Sequence, residues 1–265
     1  MIVAISDLHV GAESALLPPG FKTAGNEVVL NKRQRYLWSC WLDFIEQVGK
    51  RCGKQKPHLV INGDLVQGAH PEKDGQLSLS TDVDQALAVK LVLDPLLKVV
   101  NRDAVFVIKG TEFHDAAGGK FAESVAESIG ARIDPETGRR SRWGLWLQHD
   151  DKLFFFTHHT STAQGNPGTP MQRELQAATE NHNKHGWPVP DLQVRSHVHR
   201  HRVVGDYDGE RHIVTTPAWQ LHTAFGYKKD PLWLPDIGGM LLWVEDDNVR
   251  WKAIRYPFPK PRIEQ

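Results

Sequence analysis

Short apolar runs that open directly into polar, chemistry-bearing residues dominate the pattern of this sequence. Ile2 to Ser6 runs into Asp7, His58 to Asn62 into Gly63-Asp64, and Ala104 to Ile108 ends at Gly110. Each run has the length of a strand, and apolar runs without alternation predict strands covered on both faces. Stretches with helical spacing lie between them. From about Asn31 to Cys52 the apolar positions Leu37, Trp41, Phe44, Ile45 and Val48 recur at helical intervals. Thr81, with Asp84 three residues later, resembles a capping box, and Val83, Leu87 and Leu91 follow as one face of a helix expected to kink at Pro95. Another helix is expected near Lys120 to Ile129. Three strand–loop–helix units in sequence predict a mainly parallel sheet with crossover helices.

The pattern then changes. Trp143 to Gln148 and Lys152 to Thr157 flank His149-Asp150-Asp151 and predict a hairpin. Val203-Val204 and His212 to Thr216 flank Asp206-Tyr207-Asp208-Gly209 as a second, and Met240 to Val244 and Val249 to Ile254 flank Asp246-Asp247-Asn248 as a third. A helix near Met171 to Lys184 lies among them, and Pro257, Pro259 and Pro261 predict an extended tail. A βαβ-rich half is thus joined to a hairpin-rich half, without internal repeats.

At 265 residues and 40% hydrophobic content, the chain is long enough for a sizeable core, and one domain over residues 1–265 is expected. Lys plus Arg and Asp plus Glu both number 32, so no global charge draws the chain to nucleic acid or to an anionic membrane. Cys40 and Cys52 fall on one predicted helix, which argues against a disulfide framework and for a reducing compartment. With no signal-peptide pattern and no long apolar run, a cytoplasmic location without membrane contact is expected. Fourteen histidines are the compositional oddity.

Several of those histidines stand where strands end. Asp7-Leu8-His9 follows the first run, and on an extended backbone both side chains point to one side. Asp64 follows the second run, at the carboxyl edge where open parallel sheets gather ligands, and Gly63 permits close backbone approach. Phe154-Phe155-Phe156-Thr157 ends in His158-His159, and Val194-Arg195-Ser196 ends in His197-Val198-His199. Taken singly, each reads as readily as a turn, a helix cap or a surface loop. Together, in the order Asp-x-His, Gly-Asp, His, His-x-His, they form a set of carboxylate and imidazole donors suited to Mn, Fe or Zn.

The segments Ser6-Asp7-Leu8-His9-Val10-Gly11, Asn62-Gly63-Asp64-Leu65-Val66, Thr157-His158 and Ser196-His197-Val198-His199 resemble four of the five signature blocks of the calcineurin-like metallophosphoesterases. The blocks span residues 6 to 199. The resemblance implies a four-layer α/β/β/α sandwich of two mixed sheets flanked by helices. It also implies a binuclear metal-dependent hydrolase of phosphoesters, mono- or diester, with a metal-bridging hydroxide as nucleophile. Two divalent ions are then the cofactors, Mn or in its place Fe, Zn or Ni. By the same resemblance Asp7, His9, Asp64 and His199 hold one metal, and Asp64 bridges to a second held with His158 and His197. His158 is preferred to His159 as the first residue after its strand.

The third block departs from the family pattern of Gly-Asn-His-Asp/Glu. This chain reads Gly110-Thr111-Glu112-Phe113-His114-Asp115, with two extra residues and no Asn. Either His114 keeps the family's role as proton donor to the leaving group, the favoured reading, or His114 or Glu112 replaces the missing ligand. Two rival readings stand beside this one. A metallo-β-lactamase-type centre fails, because His197-x-His199-x-His201 lacks the Asp before its last His. A metal-binding scaffold or regulatory module that has lost catalysis through the altered block stays open. The resemblance implies a phosphoester substrate, with a nucleotide or nucleic acid among the candidates. Thr162 to Pro170, Trp219-Gln220-Leu221-His222 and Tyr227-Lys228-Lys229 are candidates to line its mouth.

Overall fold

The computed structural model describes residues 1–69, 76–160, 168–260 and 263. The tail position Pro261 and most of the loop from Thr162 to Pro170 lie outside the described residues. The first apolar run forms β1 (Ile2–Ile5), and a small hairpin of β2 (Lys22–Thr23) and β3 (Asn26–Glu27) precedes α1 (Lys32–Cys52). Asn31 caps α1 with a reciprocal pair: its side chain accepts from Gln34 N, and the Gln34 side chain accepts from Asn31 N. Then come β4 (His58–Asn62), α2 (Asp82–Leu97), a 3-10 turn at Arg102–Ala104 and β5 (Val105–Ile108). The one-turn α3 (Glu112–Asp115), α4 (Lys120–Ser128) and β6 (Ser141–Arg142) follow. The second half holds β7 (Gly144–His149), β8 (Lys152–Thr157), α5 (Thr169–His185), β9 (Leu192–Arg195), β10 (Arg202–Gly205), β11 (His212–Thr215), α6 (Ala224–Lys229), β12 (Ile237–Glu245) and β13 (Asn248–Tyr256).

Two mixed sheets result. One has six strands in the order β13-β12-β1-β4-β5-β6, and the other has five in the order β10-β11-β9-β8-β7. In the first, β1, β4, β5 and β6 run parallel and β12 joins β1 antiparallel. In the second, β8, β9 and β11 run parallel between antiparallel edges. All three expected hairpins form. The third adds its strands to the first sheet, so the division into halves does not map onto the sheets.

Strand alternation sorts the core into layers. Val3, Ile5, Leu59, Ile61, Val105, Val107 and Leu241 face α1, α2 and α4 in one cluster. Ile2, Ala4, Val60, Phe106, Ile108, Met240 and Leu242 face Phe154, Phe156, Leu192, Val194 and Val214 of the second sheet in another. Met171 and Leu175 of α5 cover Ile213 on the outer face. The order helix, sheet, sheet, helix is the expected four-layer α/β/β/α sandwich.

The predicted face of α2 is a correction. Val83, Leu87 and Leu91 are exposed, and the helix buries Gln85, Ala88, Val89, Val92, Leu93 and Leu96 instead. Apolar residues lie all round α2, so its periodicity did not single out the packed face. Pro95 stands within the last turn, and the helix runs on to Leu97.

At the centre of the first helical layer Trp41, Phe44 and Trp219 pack ring against ring, with centroids 4.8 to 5.9 Å apart. Phe44→Ala is therefore expected to destabilise by about 3–5 kcal/mol, whereas Leu87→Ser on the exposed face should stay within about 0.5 kcal/mol. Chemical denaturation, read as a change of midpoint at constant slope, checks both.

Candidate metal centre

Each of the six expected ligands follows a strand end, while His114 lies in α3, and the backbone at the ligand positions is unusual. Asp7, His9, Asp64, His197 and His199 all have positive φ, of 50, 44, 50, 70 and 55°. Left-handed conformations in non-glycine residues cost about 1–3 kcal/mol each and cluster at functional sites. The convergence of Asp7 with His9 thus comes from left-handed turns rather than from the alternation of an extended strand, whereas His197 and His199, expected on one side, turn to different donor sets.

Three interlocked sets of donors result: Asp7, His9 and His199; His9, Asp64 and His114; Asp64, His158 and His197. His9 Nε2 faces His199 Nε2 at 3.1 Å. Asp7 Oδ1 stands 3.3 Å from His199 Nε2, and Asp64 Oδ2 stands 3.1 Å from His158 Nε2. His114 Nε2 is 4.0 Å from Asp64 Oδ2, and its ring meets that of His9 edge-on at 4.3 Å. The six residues expected to ligate and His114 therefore surround one space. Glu112 lies on the exposed side of α3 and is in none of the three sets. His159 is exposed, with its ring 5.5 Å from those of His158 and His197.

Hydrogen bonds at the back of the imidazoles decide which nitrogen faces inward. His158 Nδ1 donates to Asn62 O at 2.7 Å, and His114 Nδ1 donates to Gln67 O at 2.8 Å, so Nε2 of each points to the site. Asp64 Oδ1 accepts from Thr111 N (2.7 Å) and Thr111 Oγ1 (3.1 Å), which fixes that carboxylate. Asp7 Oδ2 accepts from Ser6 Oγ and from His197 N. Asn62 Nδ2 donates to Thr157 O and to Ser196 Oγ, joining the two sheets behind the centre.

What remains is the fit of a cation. Asp7 Oδ1, His9 Nδ1 and His158 Nε2 are buried and make no hydrogen bond. Burial opposes charge on both aspartates, but His199 holds Asp7, and His158 holds Asp64, below the usual carboxylate range. Burial likewise opposes a proton on His158, yet the Asp64 carboxylate raises it to about 10. The pocket demands positive charge. Oxygen and imidazole donors with unmatched lone pairs meet that demand with a divalent transition metal, so the residues fit the expected ions.

The residues not foreseen support this shell. Thr111 occupies the place after Gly110 where the family carries Asn. Asp115 is fully buried, accepts a hydrogen bond from Gly110 N, and is pushed up to about 7 by burial and by the Asp64 charge. The pair His114-Asp115 matches the His-Asp/Glu end of the resembled third block, but the support that Asp115 gives the shell had no signal in the sequence. Two glycines are steric requirements. A Cβ on Gly63, at φ 87°, would stand 2.3 Å from His158 Nδ1, and one on Gly110 would stand 2.1 Å from Asp64 Oδ1.

No protein-family model matches the chain, and no curated protein matches its sequence. Solved structures of similar outline include Vps29 from Entamoeba histolytica complexed with zinc, at 12% identity and TM-score 0.42, covering 96% of this chain and 98% of that one. A novel archaeal phosphodiesterase matches at 10% identity and TM-score 0.42, covering 96% and 99%. A predicted phosphoesterase from Streptococcus pneumoniae matches at 11% identity and TM-score 0.41, covering 96% and 88%. These likenesses concern the outline alone, and the chemistry is set by the residues described above.

Gly110→Ala and Gly63→Ala are expected to displace Asp64 and His158 and to lower bound metal in elemental analysis of purified protein. Circular dichroism close to that of the parent would place the loss at the centre rather than in the fold.

Proposed function

We propose that this chain is a binuclear metal-dependent phosphoesterase of the calcineurin-like type, one domain whose ligands are Asp7, His9, Asp64, His158, His197 and His199. The observation that carries this reading is the sharing of Asp64. It is the one carboxylate common to the set that holds His114 and the set that holds His158 and His197.

Bound divalent ions supply charge stabilisation for phosphoryl oxygens and acidify water near neutrality. The chain's own residues do the rest. Thr111 orients Asp64 through two hydrogen bonds, and the Asn62 carbonyl holds the His158 ring by its Nδ1 hydrogen. His114 has its Nδ1 hydrogen committed to Gln67 O, so a proton carried at Nε2 is the one it can deliver to a departing alkoxide. Such general acid catalysis contributes about 10²–10⁴-fold.

The scaffold reading draws on one observation. Thr111 offers only a neutral hydroxyl and amide where the family has a ligating Asn, and it spends both on Asp64. Metal content without turnover on mono- and diesters would favour that reading.

Asp64→Asn and His199→Ala are each expected to abolish metal-dependent hydrolysis of bis(p-nitrophenyl) phosphate; full retained activity in either would sink the proposal. Added Mn should raise the melting temperature, because a ligand at 100 times its Kd stabilises by about 2.7 kcal/mol, and Asp64→Asn should blunt that rise. His114→Ala is expected to keep its metal and to lose about 10²–10⁴-fold in kcat on alkyl esters, with far less effect on p-nitrophenyl esters, whose leaving group needs no proton. Loss of metal in His114→Ala would make this residue a ligand instead.

A further inference from the structure

Between Ala218 and Asp236 the chain leaves the rim of the metal centre and returns to it. The base is closed by Ala218 N donating to Asp236 O at 2.9 Å. Each end is tied to a block of the centre: Trp219 N donates to Asp7 O at 3.0 Å, and Asp236 N to His199 O at 2.8 Å. Arg200 Nε adds a bond to Leu234 O at 2.7 Å. The excursion is therefore anchored at its base to two blocks of the centre.

Its surface is aromatic and basic. Tyr227 lies on the ring of His222, with centroids 4.4 Å apart, and remains 56% exposed. Phe225 is 71% exposed with Lys229 Nζ 5.8 Å from its ring, and Lys228 and Lys229 are both exposed. Trp233 carries the Arg200 and Arg202 guanidinium groups at 4.2 and 5.2 Å. Exposed ring faces set among cations are costly in a plain solvent loop, and they match what a strand of unpaired bases and phosphates requires. Asp230 and Asp236 offset part of the Arg200 and Arg202 charge, and Lys228 and Lys229 carry the rest of the basic surface. Asp206, Asp208 and Glu210 occupy the turn at the far end of β10 from Arg202. Asp236 pairs with Arg255 at 3.7 Å and accepts from His201 N, and Asp230 accepts from Leu232 N.

We propose that the excursion is a platform for single-stranded nucleic acid, with bases stacking on Tyr227 and Phe225 and phosphates neutralised by Lys228 and Lys229. This rests on the phosphoesterase reading and gives its substrate class, a strand phosphodiester delivered to the metal centre. A duplex keeps its bases stacked inside and would leave the exposed rings unused.

The test is fluorescence anisotropy of labelled oligothymidylate, oligouridylate and a hairpin duplex with the full chain in chelator, so that binding is read without turnover. Either single strand should bind more tightly than the duplex, and the tighter of the two identifies DNA or RNA. Tyr227→Ala should weaken strand binding by about tenfold or more. Replacing Lys228 and Lys229 together by Ala should reduce the slope of log K against log salt by about 1.4, at about 0.7 per phosphate contact on single strands. Both changes lie on exposed positions, and circular dichroism confirms the fold. Duplex binding as tight as strand binding, or variants that bind strands like the parent, would overturn the proposal. Failure of the phosphoesterase reading shows separately, as strand binding without hydrolysis of bis(p-nitrophenyl) phosphate.

Discussion

The burial of two carboxylates side by side is the constraint on which this structure depends. Asp7 and Asp64 are 0 and 1% exposed. An isolated buried carboxylate is prohibitively unstable as a charge, so each must be met by donors and by positive charge. Thr111 gives Asp64 two hydrogen bonds, while Ser6 and the His197 amide serve Asp7. The remaining lone pairs turn inward to a ring of imidazoles. With His158 raised to about 10, a proton on its ring partly meets the demand for positive charge.

The fold delivers these groups by ending parallel strands at one edge. β1 and β4 are neighbours in the first sheet, paired from Ile2 with His58 to Ile5 with Ile61, so Asp7 and Asp64 emerge together. β8 and β9 are neighbours in the second, which brings His158 beside His197. The seam between the sheets is closed by Asn62, and by a buried chain of hydroxyls in which Thr216 Oγ1 bonds to Ser6 Oγ and Ser196 Oγ. Five left-handed residues are tolerated because this surrounding network over-determines them. The aromatic cluster of Trp41, Phe44 and Trp219 sits behind the centre, and the Trp219 amide bonds to Asp7 O.

Much of this was legible in the chain because each ligand block follows an apolar strand, and strands of that kind are easy to read. β4 and β8 have the bounds expected of them, and the hairpin turns were marked by their Asp and Asn residues. The packed face of α2 was not legible, since apolar side chains lie on all its sides and only the sheet beneath decides which are covered. The conformation of the candidate ligand residues was also hidden. Nothing in Asp7-Leu8-His9 distinguishes a left-handed turn from an extended end, and both bring the two side chains together. The supporting roles of the Thr111 amide and the Gln67 carbonyl depend on backbone groups, which no motif records, and only the Thr111 hydroxyl is a side-chain contribution.

The third block shows why spacing along the chain misleads where a helical turn intervenes. Two residues beyond the usual pattern suggest a displaced or lost element. In space they coil into α3, and the turn carries Glu112 and Phe113 outward while Thr111 and His114, three apart, come to one side. Thr111 then reaches Asp64 Oδ1, and His114 Nε2 approaches Asp64 Oδ2. Asp115, in the same turn, binds back to Gly110 N and closes the loop at its base. The extra length is thus absorbed without moving the histidine away from the carboxylate. A helix rises only about 1.5 Å per residue, so two added residues shift a side chain far less than they would in an extended loop. The block departs from the resembled pattern in its residues and still holds an imidazole 4.0 Å from Asp64.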